Sequence, residues 1–130
     1  MSTEINIEKI IYDKAVEAAY HAKFENITSA AVNNILEVFT QIEDSEEALK
    51  TTILFILRQN SRGILKKNTT KSLVNGLKEI FDKGGEKKKE LARKFLGLFK
   101  WAFEATNSLN YKPARGMDKV DFKTFLGFFR

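Results

Sequence analysis

Three cations recur at a spacing that a single helix would string along one side: Lys89, Arg93 and Lys100. At ~1.5 Å of rise per residue they span roughly 16 Å, a length that suits a few successive phosphates. Lys87, Lys88 and Lys94 flank the row, and Gly97 beside it would leave the backbone open to close approach. Lys66, Lys67, Lys71, Lys112 and Arg115 fall on joints from which they reach the same partner. Many cations without a base-reading signature fit binding to a nucleic-acid backbone regardless of sequence, with an affinity that falls steeply as salt rises. For stacking on bases, most Phe lie at core spacing, which leaves Trp101, Tyr111 and Phe128 as candidates.

Other chemistries find little support. His21 is the single histidine, beside Tyr20 in an alanine-rich stretch with no nucleophile pattern near it, so it reads as a core or partly exposed side chain. The chain has no Cys, and so no thiolate nucleophile, disulfide framework or Cys-ligated metal. Gly84-Gly85-Glu86-Lys87 lacks the spacing and the Ser or Thr of a phosphate-cradling loop, and no strand pattern precedes it. The run Glu43-Asp44-Ser45-Glu46-Glu47 has a local explanation: a cap at Asp44 or Ser45, and acids at the positive end of a helix dipole. No catalytic, cofactor-binding or metal-ligating residue is assigned, and the expectation is a non-enzyme.

Charge is divided along the chain. The net charge is +5 over 130 residues; residues 1–50 hold four Lys against ten Asp or Glu, a net of −6, and residues 51–130 hold eighteen Lys or Arg against seven acids, a net of +11. This division suggests a polyanion partner for the basic half, or copies meeting head to tail. Apolar residues at 43% and charged residues at 30% suit a globular domain with a real core. The first residues carry no signal-peptide pattern, and Asn26 to Leu36, the longest uncharged stretch, is too short and polar to span a bilayer. The expected setting is cytoplasmic.

The elements that must position these cations are helical. One Pro and seven Gly leave few breaks, and neither strand alternation nor a fixed-period repeat is present. The expected fold is all-α, a compact bundle of five to six helices in a single domain. A first helix runs from about Glu4 or Ile7 to Lys23, burying Ile7, Ile10, Ile11, Ala15, Ala18, Ala19 and Ala22. A second, capped by Thr28 or Ser29, buries Val32, Ile35, Leu36, Phe39 and Ile42. A third buries Leu49, Ile53, Ile56 and Leu57 and ends near Asn60–Gly63. A fourth, capped by Thr69 or Thr70, turns Leu73, Val74, Leu77, Ile80 and Phe81 inward and stops at Gly84-Gly85. The fifth, Gly85 to Leu109, buries Leu91, Phe95, Leu98, Phe99, Ala102, Ala105 and Leu109, with the Lys89–Arg93–Lys100 row opposite. Asn110 to Met117 is non-helical. A last helix begins at Asp118 with Asp121 at the capping-box position; Phe122, Phe125 and Phe129 share a face with Phe128 off it.

From Asn68 onward the order of features resembles the small all-helical subunit of CRISPR effector complexes, that of type III first and that of type I-A next. The likeness rests on Thr69-Thr70-Lys71-Ser72-Leu73-Val74, the long helix through Leu96, Phe99 and Trp101, the Tyr111-Lys112-Pro113-Ala114-Arg115 segment, and the run Asp121 to Phe129. It covers about the C-terminal half of the chain. It implies a non-catalytic protein, repeated along a guide RNA–protein filament beside other subunits. There its basic face meets single-stranded or guide-paired nucleic acid through Lys89, Arg93, Lys100, Lys112 and Arg115. Two alternatives stand beside it: a free-standing small DNA-binding protein, and a protein–protein module that self-associates by head-to-tail charge.

Overall fold

The computed structural model describes residues 3–109, 117 and 119–129, with side chains from Ile7 onward. Six helices follow in order, α1 (Thr3–Phe24), α2 (Ser29–Thr40), α3 (Ser45–Ser61), α4 (Lys67–Lys83), α5 (Lys88–Ala105) and α6 (Phe122–Gly127), with no strand among the described residues. Short 3₁₀ turns, Gly85–Lys87 and Thr106–Ser108, lead into and out of α5. The all-α bundle expected from the periodicity is the fold.

The central element is α1. Ile11, Ala15, Ala18, Ala19 and Ala22 are wholly buried, and so nearly are Val16, Glu17, Tyr20 and His21 on its other sides. The small alanine faces let α4 and α5 lie close along it, while α6 and the turn after α5 cover the remainder. The second layer is α2 and α3, packed on each other and against α4 and α5. Buried apolar side chains from all six helices join in one continuous core. At 25–30 cal/mol per Å² of apolar area removed from water, that core is the principal stabilising term.

Local sequence explains most boundaries. Asn26 sits at φ 57° after α1, and the amide of Ile27 returns to the Ala22 carbonyl at 3.0 Å, a left-handed helix stop that Asn tolerates well. Gly63 (φ 79°) ends α3 in the same way, with Ile64 N–H to the Gln59 carbonyl at 3.0 Å. The Thr28 hydroxyl accepts the Ala31 amide at 3.1 Å, and Asp44 accepts that of Glu47 at 3.0 Å; both are the expected caps.

Four expectations are corrected. α4 begins at Lys67, so Lys67 and Lys71 lie on the helix and not on a joint, and Lys66 is its cap residue without a side-chain cap bond. Thr69 and Thr70 are buried inside the first turns, because the cap comes from elsewhere: Glu25, just past the end of α1, accepts the amides of Asn68 and Thr69, each at 3.0 Å, and the Thr69 hydroxyl at 2.7 Å. Leu57 of α3 is exposed, its place in the buried face taken by Thr52 and Gln59. α6 starts at Phe122, later than expected; Asp121 caps it, accepting the Thr124 amide at 2.8 Å, and Phe122 itself is exposed, edge-on to Tyr12.

The buried face of α5 is Ala92, Phe95, Leu96, Phe99, Ala102 and Phe103. At 100° per residue it is turned by about 70° from the expected one, leaving Ala105 exposed. The physical reason is that α5 packs against α1 on one side and α2, α3 and α4 on others, so its core face must be wide. The approach to α4 is close: a Cβ at Gly76 would overlap the Phe95 ring.

Candidate nucleic-acid interface

Turning α5 changes what its cations do. Lys89 is half-buried and donates to the Glu43 backbone carbonyl at 2.5 Å; Lys100 is also half-buried, and Arg93 is exposed. Gly97 has open space around its Cα. The centre of the exposed side is Glu90, Lys94 and Trp101, the last with 72% of its surface in solvent. Phe128, by contrast, stacks on Tyr20 at 5.7 Å and is half-buried, so it is not an exposed stacking platform. Tyr111, Lys112 and Arg115 lie outside the described residues.

Part of the opposite charge of the two halves meets within one chain. Lys94 pairs with Glu8 at 2.8 Å and lies 5.2 Å from the centre of the Tyr12 ring; the Glu8 hydrogen bond raises the Lys94 pKa above its ordinary value. Lys88 lies 3.7 Å from Glu46 and over the Phe81 ring. The acids in and just after α1 are occupied too, and they organise the fold. Asp13 accepts the Phe122 amide at 3.0 Å, Glu17 accepts the Val120 amide at 3.3 Å and the Ser72 hydroxyl at 2.9 Å, and Glu25 holds the start of α4. Each is a carboxylate satisfying backbone donors that would otherwise be orphaned at a helix start or in an irregular segment.

Among the described cations left without an ion-pair partner, three form a row on α4. Lys67, Lys71 and Lys78 are exposed at i, i+4 and i+11 with Asn75 between, a row about 16 Å long at ~1.5 Å per residue. None of the three has an ion-pair partner among the described residues. Beside the row a recess of about 330 Å³ opens between α1, α4 and the segment before α6. Lys14, Lys67, Lys71 and Lys119 line it, with Asn68, Asn75, Ser72, His21 and Glu17. A second recess of about 400 Å³, toward Ile10 and Thr124, shares Lys14, Glu17 and Lys119.

Burial orders the floor of this cleft. Glu17, His21 and Ser72 are each more than nine-tenths buried. Both Glu17 oxygens are committed, Oε1 to Lys14 at 3.1 Å and to Ser72, and Oε2 to Val120. His21 rests edge-on to Tyr20, whose phenol burial raises above its ordinary pKa, partly offset by a hydrogen bond with the Met117 backbone. Four lysines against one carboxylate give the lining a formal charge of +3, leaving His21 out of the count.

Lys67 and Lys71 are thus brought together by α4, with Lys66 exposed one residue earlier, while Lys89, Arg93 and Lys100 stand on a different helix. Lys14, Lys78, Lys119, Asn68, Asn75 and His21 are absent from the candidates that the sequence pattern supplies. The spacing of Lys67, Lys71, Asn75 and Lys78 is legible once α4 starts at Lys67; Lys14 and Lys119 join through tertiary packing alone. No group of three or more His, Asp or Glu side chains that could hold a metal ion comes together among the described residues, and no described helix is long and apolar enough to cross a membrane.

Compared with protein-family models, curated proteins and solved structures, the chain matches none.

Proposed function

We propose that this chain is a non-catalytic helical protein that binds a nucleic-acid backbone without sequence preference, through the cleft of Lys14, Lys67, Lys71 and Lys119 and the row continuing to Lys78. The observation that carries the reading is the contrast in pairing. Asp13, Glu17 and Glu25 are engaged by amides, and Glu8 and Glu46 by Lys94 and Lys88, whereas the α4 cations face solvent together. Cations at the N-terminal end of a helix oppose its dipole. Lys66 and Lys67 there break a local rule with only Glu25 as compensation, which is where a function is expected to show. Arg93 and Trp101 on α5 offer a second, weaker surface for a strand that leaves the cleft.

The narrower form of the reading is a cytoplasmic small subunit of a CRISPR-type ribonucleoprotein that works beside other protein subunits; it rests on the resemblance alone. Within it, Thr69-Thr70 contributes burial and not a cap, so the Thr-rich element of that resemblance has a different local role here. A free-standing DNA-binding protein uses the same cations. For a head-to-tail module, Glu8 and Glu46 already meet lysines inside the chain, which leaves Glu37, Glu43 and Glu47 as exposed acids.

Anisotropy of a labelled single-stranded RNA or DNA in a salt titration tests the proposal. Binding should be tight at low salt and weaken log-linearly with salt, and no binding at about 50 mM would sink it. A preference for one duplex sequence would move the reading to the free-standing DNA-binding protein.

A further inference from the structure

Resting on the reading just given, we infer that the cleft between α1, α4 and the segment before α6 seats a terminal phosphate, a phosphomonoester, in preference to a phosphodiester within a strand. Three observations carry this. First, the space is small and closed below: about 330 Å³, at the lower end of ligand-binding volumes, on a floor of buried Glu17, Ser72 and His21. A space of this size takes a strand end or a small phosphorylated molecule more readily than a strand threaded through it. Second, the charge fits. A phosphomonoester carries about −1.5 to −2 at pH 7, against −1 for a diester, and the lining offers +3 from groups converging from three separate segments. Third, the acid at the site is already neutralised. Glu17 is held by Lys14, Ser72 and the Val120 amide, so its charge is turned into the fold and Lys67, Lys71 and Lys119 remain for the ligand. Asn68 and Asn75 supply neutral amide donors at the rim.

Two sources share this chemistry, the 5′ or 3′ phosphate of a nucleic-acid strand and a free nucleoside monophosphate. The test measures binding of one oligonucleotide with a 5′-phosphate, a 3′-phosphate or hydroxyl ends, with a nucleoside monophosphate as competitor, using the full chain and Lys71→Gln and Lys119→Gln. We expect one phosphorylated end to bind about tenfold more tightly than the hydroxyl form, as charge-assisted hydrogen bonds to a dianion should give. That difference should vanish in both variants, with the melting temperature unchanged because both lysines are exposed. Competition by the nucleoside monophosphate at matched concentration assigns the cleft to free nucleotides, and its failure to compete assigns it to strand ends. Equal binding of all three oligonucleotides overturns the inference and leaves backbone binding intact. Absence of binding by any of them at low salt overturns both.

Discussion

Glu25, just past the end of α1, caps a helix that starts more than forty residues further on: its two carboxylate oxygens accept the amides of Asn68 and Thr69 at 3.0 Å each. No residue in the α4 sequence supplies that cap, since Lys66 has no side-chain acceptor and Thr69 is buried with its own hydroxyl on Glu25. The carboxylate also sets a negative charge among cations that would otherwise oppose the dipole. Glu25→Ala should therefore cost about 1–2 kcal/mol, the usual range for a lost N-cap. Thermal or urea unfolding checks this. Glu25→Gln should recover part of the loss, and a variant as stable as the parent would refute the cap.

Gly76→Ala should destabilise the chain although it replaces Gly by the best helix former. Propensity alone favours Ala by about 1 kcal/mol. The added methyl, however, overlaps the wholly buried Phe95 ring, and overpacking of that kind costs about 1–3 kcal/mol. Combining Gly76→Ala with Phe95→Leu should be less damaging than the sum of the two. Additive losses in a double-mutant cycle would show that the two positions do not share the space.

The location of the basic surface separates α4 from α5 experimentally. Lys71→Glu should weaken single-strand binding several-fold and lower the salt slope by roughly 1 for each phosphate no longer neutralised. Lys94→Glu should have a small effect on binding, since Glu8 already holds that ammonium, and should instead reduce stability slightly. Equal losses of affinity from the two substitutions would return the site to the face of α5.

Proton linkage bears on the aromatic end of the fold. Asp121 at the start of α6 has a carboxyl held below the usual carboxylate range by the Thr124 side-chain hydrogen bond and then the Thr124 amide. Its contribution is present above the unfolded pKa and is lost as pH falls through the folded one, so α6 should loosen in acid. Tyr20 also favours the folded state, but at the other end of the scale. Burial raises its phenol, the folded state keeps the proton longer than the unfolded chain, and stability should decline as pH rises past about 10. Melting curves across pH, with absorbance at the tyrosinate band, check both. Asp121→Asn should flatten the acid limb alone.

How far the sequence carried this fold depended on whether a feature was local. The ends of α1 and α3 at Asn26 and Gly63, and the caps at Thr28 and Asp44, follow from residues within one turn. The start of α4 did not, because its cap is a tertiary one and Thr69-Thr70 mimics a cap sequence. The face of α5 was turned for a related reason: single-helix periodicity assumes one packing partner, and α5 has several. The site divides along the same line. Lys67 and Lys71 are visible as a local basic cluster, whereas Lys14 and Lys119 lie more than a hundred residues apart and meet through the Glu17–Val120 and Asp13–Phe122 bonds that bring their segments together.

The position of α1 at the middle of the bundle sets an order of events during synthesis. Its polar anchors Asp13 and Glu17 find their amides 109 and 103 residues later, at Phe122 and Val120. This helix thus waits for segments made about a hundred residues after it before its surface is sealed. Long loop closures of this kind slow folding relative to a bundle of neighbouring hairpins. The waiting surface carries Ile7, Ile11, Val16 and Tyr20, but between them Ala15, Ala18, Ala19 and Ala22 stand where leucines would be far stickier. Those alanines reduce the apolar area that a nascent chain shows while it waits.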